Sequence, residues 1–227
     1  MCALFFHRMW RMKLVNLQSA LRESPNLLYA RNPDGHTLLI HAATLGSVEM
    51  VDFLIDQGLD MDDQENKYRE TALFRASQLD RVGVVDLLLE KGANITLAEG
   101  GGWTPLMIAC NEKQERSAAR LLQHGGNVLD AVNCRGWNAV RCAASSFMEG
   151  IVKDLLAAGA DPTILCDQGM TALQYHQKMA IYYNYNWTTD KRDKWAQSQG
   201  LKHARMAEIL QVGVLVESGR YHGIRIT

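Results

Sequence analysis

The chain has 227 residues, with 24 Lys and Arg against 25 Asp and Glu, a formal net charge of −1. That balance excludes a general nucleic-acid binder, which needs a basic face to neutralise phosphates. Hydrophobic residues make up 47%, ample for a core, yet no apolar run approaches the ~18 residues of a membrane span. Five cysteines (Cys2, Cys110, Cys134, Cys142, Cys166) form no Cys-x-x-Cys, which points to reduced thiols in an intracellular compartment.

The first element is basic and amphipathic. Residues 1–22 carry Arg8, Arg11, Lys13 and Arg22 with no acid before Glu23, and include Leu4, Phe5, Phe6, Met9 and Trp10. Such a segment reads either as a helix that caps a stack or as an uncleaved organelle-targeting helix. Serine is nearly absent from it, which favours the cap. The expected location is therefore the cytoplasm, with a mitochondrion or other organelle as the alternative.

From here the chain repeats itself. Thr37, Thr71, Thr104, Asn138 and Thr171 open near-identical phrases at intervals of 34, 33, 34 and 33 residues. Gly58, Gly92, Gly125 and Gly159 each follow 21 residues later. A fixed period in this range indicates a repeat architecture. Within it, Val48, Val51, Leu54 and Ile55 form one stripe of an amphipathic helix, and Val82, Val85, Leu88 and Leu89 repeat that stripe. The glycines sit where a helix should end in a left-handed residue. Pairs such as Ala42-Ala43 and Ala143-Ala144 are small enough for close helix approach. Each unit is then helix, turn, helix and an extended turn, and no unit can bury its stripe without neighbours.

The phrases run Gly-His-Thr-Leu-Leu-Ile-His-Ala-Ala (35–43), Arg-Glu-Thr-Ala-Leu-Phe-Arg-Ala-Ser (69–77), Gly-Trp-Thr-Pro-Leu-Met-Ile-Ala-Cys (102–110), Gly-Trp-Asn-Ala-Val-Arg-Cys-Ala-Ala (136–144) and Gly-Met-Thr-Ala-Leu-Gln-Tyr-His-Gln (169–177). This resembles the ankyrin repeat, whose signature opens Thr-Pro-Leu-His-x-Ala. The resemblance covers about residues 25–213 and implies an all-α solenoid that binds proteins without catalysis. It implies capping helices over 1–30, repeats at 31–63, 64–97, 98–131 and 132–165, and a divergent fifth repeat with a tail over 166–227. One departure is the fourth signature position, where the family's His is replaced by Ile40, Phe74, Met107, Arg141 and Gln174. Another is Arg69, which stands where the other copies have Gly. That turn either changes shape or holds a non-glycine residue in a costly conformation.

Signals for chemistry are weak. Glu99-Gly100-Gly101-Gly102 has neither a preceding strand nor a following Gly-Lys, so it reads as a flexible turn and not a phosphate loop. Asp60, Asp62, Asp63 and Glu65 open like a calcium loop, but Glu65 stands where that loop needs Gly and Thr71 where it needs Glu. Asn94-Ile95-Thr96 and Asn186-Trp187-Thr188 match the glycosylation triplet by coincidence. His41, His176 and the cysteines share no nucleophile–base or metal-ligand spacing. No enzyme activity, cofactor or metal is expected.

Binding signals are stronger. The residue before each Thr or Asn lies at the base of the protruding turn and recurs on one face: His36, Glu70, Trp103, Trp137 and Met170. Two residues earlier come Asp34, Tyr68, Gly101, Arg135 and Gln168. Tyr, Trp and Arg are the types enriched at interface hot spots. His36, Tyr68, Arg69, Trp103, Arg135 and Trp137 are accordingly read as protein-binding residues, with Trp103 and Trp137 side by side. The competing reading packs both Trp over neighbouring turns. Residues 49–70 hold eight acids against Lys67 and Arg69, either a solvated face or a landing patch for a basic partner.

The fifth repeat departs furthest. Thr171 to Gly213 spans 42 residues where other copies need 21, and the insertion, starting near Lys178, holds Tyr182, Tyr183, Tyr185, Trp187 and Trp195. Insertions of this kind become loops, often on a binding face. Tyr182, Tyr183, Tyr185 and Trp187 are read as a contact with a partner protein, against the alternative of a lid over the end of the stack. The tail from Val214 reads as a hairpin, an edge strand or a continuation of the last helix. A homo-oligomer is not expected. The chain is read as an adaptor, with a permanent subunit of a large assembly as the alternative.

Overall fold

A computed structural model of the chain describes residues 14–125, 129–187 and 194–217, with side chains given for all of these except 184–187, 194–195 and 215–217. The basic segment 1–13 and the tail from 218 lie outside the described residues. Among those described there are eleven α-helices and no strand. The chain divides into two compact units, Met1–Gly125 and Gly126–Thr227.

In the first unit α1 (Leu14–Glu23) and a 3-10 turn (Pro25–Tyr29) pack together, with Leu17 buried. Three helix pairs follow: α2 (Leu38–Leu45) with α3 (Val48–Asp56), α4 (Ala72–Gln78) with α5 (Val82–Glu90), and α6 (Pro105–Asn111) with α7 (Glu115–His124). The inner helices α2, α4 and α6 pack in series, and so do the outer helices α3, α5 and α7. Ala42, Ala43, Ala76, Ser77, Ala109 and Cys110 are fully buried where inner helices meet. Small side chains at these positions let the backbones approach closely. Met50, Val51, Leu54, Val84, Val85, Leu88 and Leu121 form the apolar layer between inner and outer rows. The second unit holds α8 (Ala139–Ser145) with α9 (Glu149–Ala157), and α10 (Ala172–Trp187) with α11 (Lys194–Glu217). There α10 packs on α8, and α11 packs on α9 and α10.

The repeated Thr or Asn has one structural task. Thr37, Thr71, Thr104 and Asn138 are N-caps whose side-chain oxygens accept from the backbone N–H of Ile40, Phe74, Met107 and Arg141 at 3.2, 3.1, 3.3 and 2.9 Å. Thr171 does the same for Gln174 at 3.1 Å. The first amides of a helix have no intrahelical partner, and a capping oxygen supplies one. The period of the sequence is thus the period of helix starts.

Left-handed backbone recurs at up to three turns of a repeat. Two residues before each cap stand Gly35, Arg69, Gly102, Gly136 and Gly169, all with positive φ. Arg69 is therefore the costly non-glycine case, at φ 59. Gln64 holds it by accepting from the guanidinium at 2.9 and 3.1 Å and donating to its carbonyl at 2.6 Å. Nine residues after the caps stand Gly46, Asp80, Lys113 and Phe147, also left-handed. Asp tolerates this region well, whereas a bulky aromatic there is a genuine outlier. Of the closing glycines, Gly58, Gly92 and Gly159 are left-handed as expected. Gly125 is not: it ends α7 in an extended conformation.

The fifth repeat corrects the sequence reading in two ways. Its insertion is not a loop where it is described: α10 has 16 residues against 7 for α8, and α11 has 24 against 9 for α9. Nor does Gly213 close a helix. It lies inside α11, where an added Cβ would stand 2.7 Å from Leu156 Cδ2, so its lack of a side chain lets α11 approach α9. Val214–Glu217 continue the helix and form neither hairpin nor strand.

Truncating a side chain in this layer leaves a cavity that its neighbours refill only in part. Leu88, fully buried, should cost about 2–5 kcal/mol on Leu88→Ala, read from urea unfolding midpoints at constant slope.

Candidate functional site

The protruding turns of the first four repeats are each tied at the base by one side chain. Asn32 Oδ1 accepts from the N–H groups of Asp34 and His36 at 3.0 and 2.8 Å. Asn133 Oδ1 serves Arg135 and Trp137 at 2.9 and 3.0 Å. In the third repeat Glu99 Oε1 binds the N–H groups of Gly101 and Trp103. The Glu65 carboxylate accepts from Lys67 and Tyr68. These bonds present residues at the turn in fixed positions, and they remove two of the chemical readings. Glu65 is buried and already engaged, so it is no calcium ligand. The amides around Gly100–Gly102 are engaged by Glu99 and by the Tyr68 carbonyl, so they cradle no phosphate. Among the described residues, no three His, Cys, Asp or Glu side chains are grouped to hold a metal ion.

The acidic stretch is engaged in part by cations and amides of the chain. Asp63 pairs with Arg31 at 2.7 Å, and Lys91 reaches Asp52 and Asp56 at 2.8 and 3.2 Å. Asp62 accepts from the Asn94 N–H, Asp60 from the Asp62 N–H, Glu49 from the Ser47 hydroxyl, and Glu70 faces Arg75. All eight acids have an intrachain partner, several in the next repeat. Together with Arg81 to the Thr44 carbonyl and Gln114 to the Gln78 carbonyl, they supply inter-repeat bonds in a chain without the signature His.

The proposed contact residues differ in exposure. Tyr68 is 51% exposed, with the Lys67 ammonium 4.7 Å from its ring centroid. Arg69 and Arg135 are exposed, while His36, Trp103 and Trp137 are half-buried. The half-burial of the tryptophans is compatible with either reading. Trp103 belongs to the first unit and Trp137 to the second. The Arg135 and Arg141 guanidinium carbons stand 5.7 and 5.4 Å from the Trp137 ring. Tyr182 is 48% exposed. Tyr183 is half-buried and stacks on His203 at 5.6 Å. Tyr185 and Trp187 are in α10, and their side chains lie outside the described set.

Sequence reasoning missed a buried histidine pair. His176 stands at the register of Ala42, Ala76, Ala109 and Ala143, and its Nδ1 meets His203 Nδ1 of α11 at 2.9 Å. Phe147, the residue strained at φ 58, packs edge-on against both rings at 5.7 and 4.9 Å, and Tyr175 stands edge-on to both as well. A His replacing a recurrent small Ala was the signal available. This cluster fastens the enlarged hairpin to the fourth repeat. Elsewhere at the end of the array, Gln174 and Gln177 are exposed where earlier repeats bury Ile40, Phe74, Met107 and Arg141, and Ala43, Ser77, Cys110 and Ala144. Polar residues at stacking positions mark a terminal repeat.

Residues 12–99 and 97–166 each match the family model described as ankyrin repeats (3 copies). The chain belongs to the ankyrin-repeat family. It is also 30% identical over 159 residues to Neurogenic locus notch homolog protein 1 of Xenopus tropicalis, covering 64% of this chain and 6% of that protein. The chain thus spans a small fraction of the relative's length. The family match stops at 166, so the fifth ankyrin unit rests on register and cap geometry. Ankyrin repeats are in general protein-interaction modules. No helix among the described residues is long and apolar enough to cross a membrane.

Burial pushes the His176 pKa down to about 3 and His41 down to about 4, and lowers His203 as well. A histidine that stays neutral when folded, but titrates near 6.5 when unfolded, makes the unfolded state bind more protons below that value. Its stabilisation is therefore complete above pH 6.5 and is lost as pH falls toward the folded value. Between pH 7 and 5, unfolding free energy should drop by about 2 kcal/mol for each of His176 and His41. His176→Phe should flatten that slope, as measured by denaturant titration at each pH.

Proposed function

We propose that the chain is a non-catalytic adaptor, and that its ankyrin turns bind a partner protein through their aromatic and cationic side chains. The observation that carries this is the pairing of an aromatic ring with a cation at turns of both units: Tyr68 with Lys67, and Trp137 with Arg135. Rigid aromatic side chains give large contact area at small entropic cost, and hot spots are enriched in Trp, Tyr and Arg. His36, Arg69 and Trp103 add to the turn surface of the first unit, and Arg135 and Trp137 form that of the second. The protein works in the cytoplasm on this account, consistent with five cysteines that form no Cys-x-x-Cys.

A partner recovered by full-length chain from native extract, identified by mass spectrometry, gives the direct test. Tyr68→Ala and the Trp103→Ala/Trp137→Ala double variant should keep the helical circular dichroism and weaken that partner at least tenfold, about 1.4 kcal/mol. Unchanged affinity in both would place the contact elsewhere.

A second reading, a subunit built permanently into a large assembly, is favoured by one observation. Ile181 and Leu201 of the enlarged hairpin are 68% and 71% exposed. They accompany a groove of about 610 Å³ lined by Gln177, Ala180, Ile181, Ala204 and Ala207. Sedimentation of the purified chain separates the two: a monodisperse monomer fits the adaptor, and self-association or insolubility fits the subunit. Removing 178–198 tests the role of the insertion. Loss of the partner with stability retained makes Tyr182, Tyr183, Tyr185 and Trp187 the contact. A lower melting temperature with binding retained makes the hairpin an end cap.

A further inference from the structure

Arg141 breaks the rule that the other repeats obey. Three residues after their caps, the first three repeats place Ile40, Phe74 and Met107, exposed by 0%, 3% and 0%. The fourth places a guanidinium at the same register, and it is 5% exposed. A buried charge is costly unless an opposite charge and hydrogen bonds compensate it. Arg141 has only part of that compensation. Its Nη1 donates to the Thr171 carbonyl at 2.9 Å, and its guanidinium carbon lies 4.3 Å from the Tyr175 ring centroid and 5.4 Å from that of Trp137. Its Nε is buried without an acceptor. Among the described residues no carboxylate forms an ion pair with it. Asp167, exposed and at longer range, is the acid whose charge favours it.

The surroundings are those of a receptor for negative charge. Arg135 is exposed on the turn and sits 5.7 Å from the same Trp137 ring, also without an ion pair among the described residues. Two guanidinium groups thus share one indole, and Tyr175 walls the buried one. Desolvation weakens the hold of Arg141 on its proton. The same low dielectric strengthens the attraction of any anion that arrives beside it. An acidic side chain would meet Arg135 first and then supply the counter-charge that Arg141 lacks, with the planar guanidinium suited to a carboxylate.

We propose that Arg135, Trp137, Arg141 and Tyr175 form a receptor for a carboxylate-bearing segment of a partner protein, with Arg141 as its uncompensated cation. This rests on the reading that the ankyrin turns are the binding side, and adds the chemistry of what binds there. It also makes a signature: the residue that weakens the fold is the one that binds.

The test uses the full chain and three labelled, end-blocked decapeptides of alternating Ala with Glu, Lys or phosphoserine, plus inorganic phosphate, at low salt. The Glu peptide should bind and the Lys peptide should not. Arg141→Met, which restores the side chain of the third repeat at this register, should weaken the Glu peptide at least tenfold while raising the melting temperature. Arg141→Lys, keeping charge without the fork, should fall between, and Arg135→Ala should weaken binding without raising stability. A lower melting temperature in Arg141→Met would make Arg141 a structural member and overturn the proposal. So would undiminished Glu-peptide binding in that variant. Tenfold tighter binding of phosphate or the phosphoserine peptide would overturn the carboxylate assignment. If the recovered partner loses affinity in the Tyr68 and Trp variants but not in Arg141→Met, the general reading stands and this one falls. If only Arg141→Met acts, the acidic receptor stands and the wider turn surface falls.

Discussion

No helix pair in this chain can cover its own apolar face, and the rest of the structure follows from that. A helix of seven or eight residues is too short to be stable alone. Its start is fixed by a capping Thr or Asn, and its buried side is closed only by the next inner helix and by an outer helix. Because the cap recurs every 33 or 34 residues, the stacking positions recur too. Small residues must occupy the tightest of them, and polar ones mark where the stacking ends.

The binding surface is a by-product of the same arrangement. Backbone groups between repeats have to be satisfied, and Asn32, Glu65, Glu99 and Asn133 satisfy them in the first four turns by tying each from within. A turn held this way keeps its outward side chains in place, which lowers the entropic cost of recognition. Some surface acids and bases are meanwhile engaged between repeats, such as Arg31 with Asp63 and Arg116 with Asp80. Arg141 differs from them because its charge is buried and has no ion pair among the described residues.

Much of this was legible in the sequence. The register of Thr37, Thr71, Thr104, Asn138 and Thr171 located every inner helix, and the substitution at Arg69 located a strained turn. Less legible were features that depend on what a side chain touches. Asp80, Lys113 and Phe147 take a left-handed conformation at a position that only Gly46 announces. Of the acids of 49–70, Asp52, Asp56, Asp62 and Asp63 have partners about one repeat away, which spacing does not announce. Spacing alone does not tell an inserted loop from two lengthened helices. No Gly or Pro interrupts 171–199, and in the structure Ala180, Ala196, Met206, Ala207 and Leu210 are buried on the longer helices. The Arg at the fourth signature position was visible, but its missing counter-charge was not.

Native-state hydrogen exchange on the full chain tests the governing constraint most directly. If each helix is stabilised chiefly by neighbouring repeats, the capped amides of Phe74 and Met107, enclosed by stacked helices, should exchange with large protection. The Gln174 amide has the same kind of cap but lies under an exposed, polar end, and should be protected far less. Equal protection of all three would mean that caps and local propensity hold the helices. Greater protection of Gln174 would place the stable nucleus in the terminal hairpin, and either result would contradict the account.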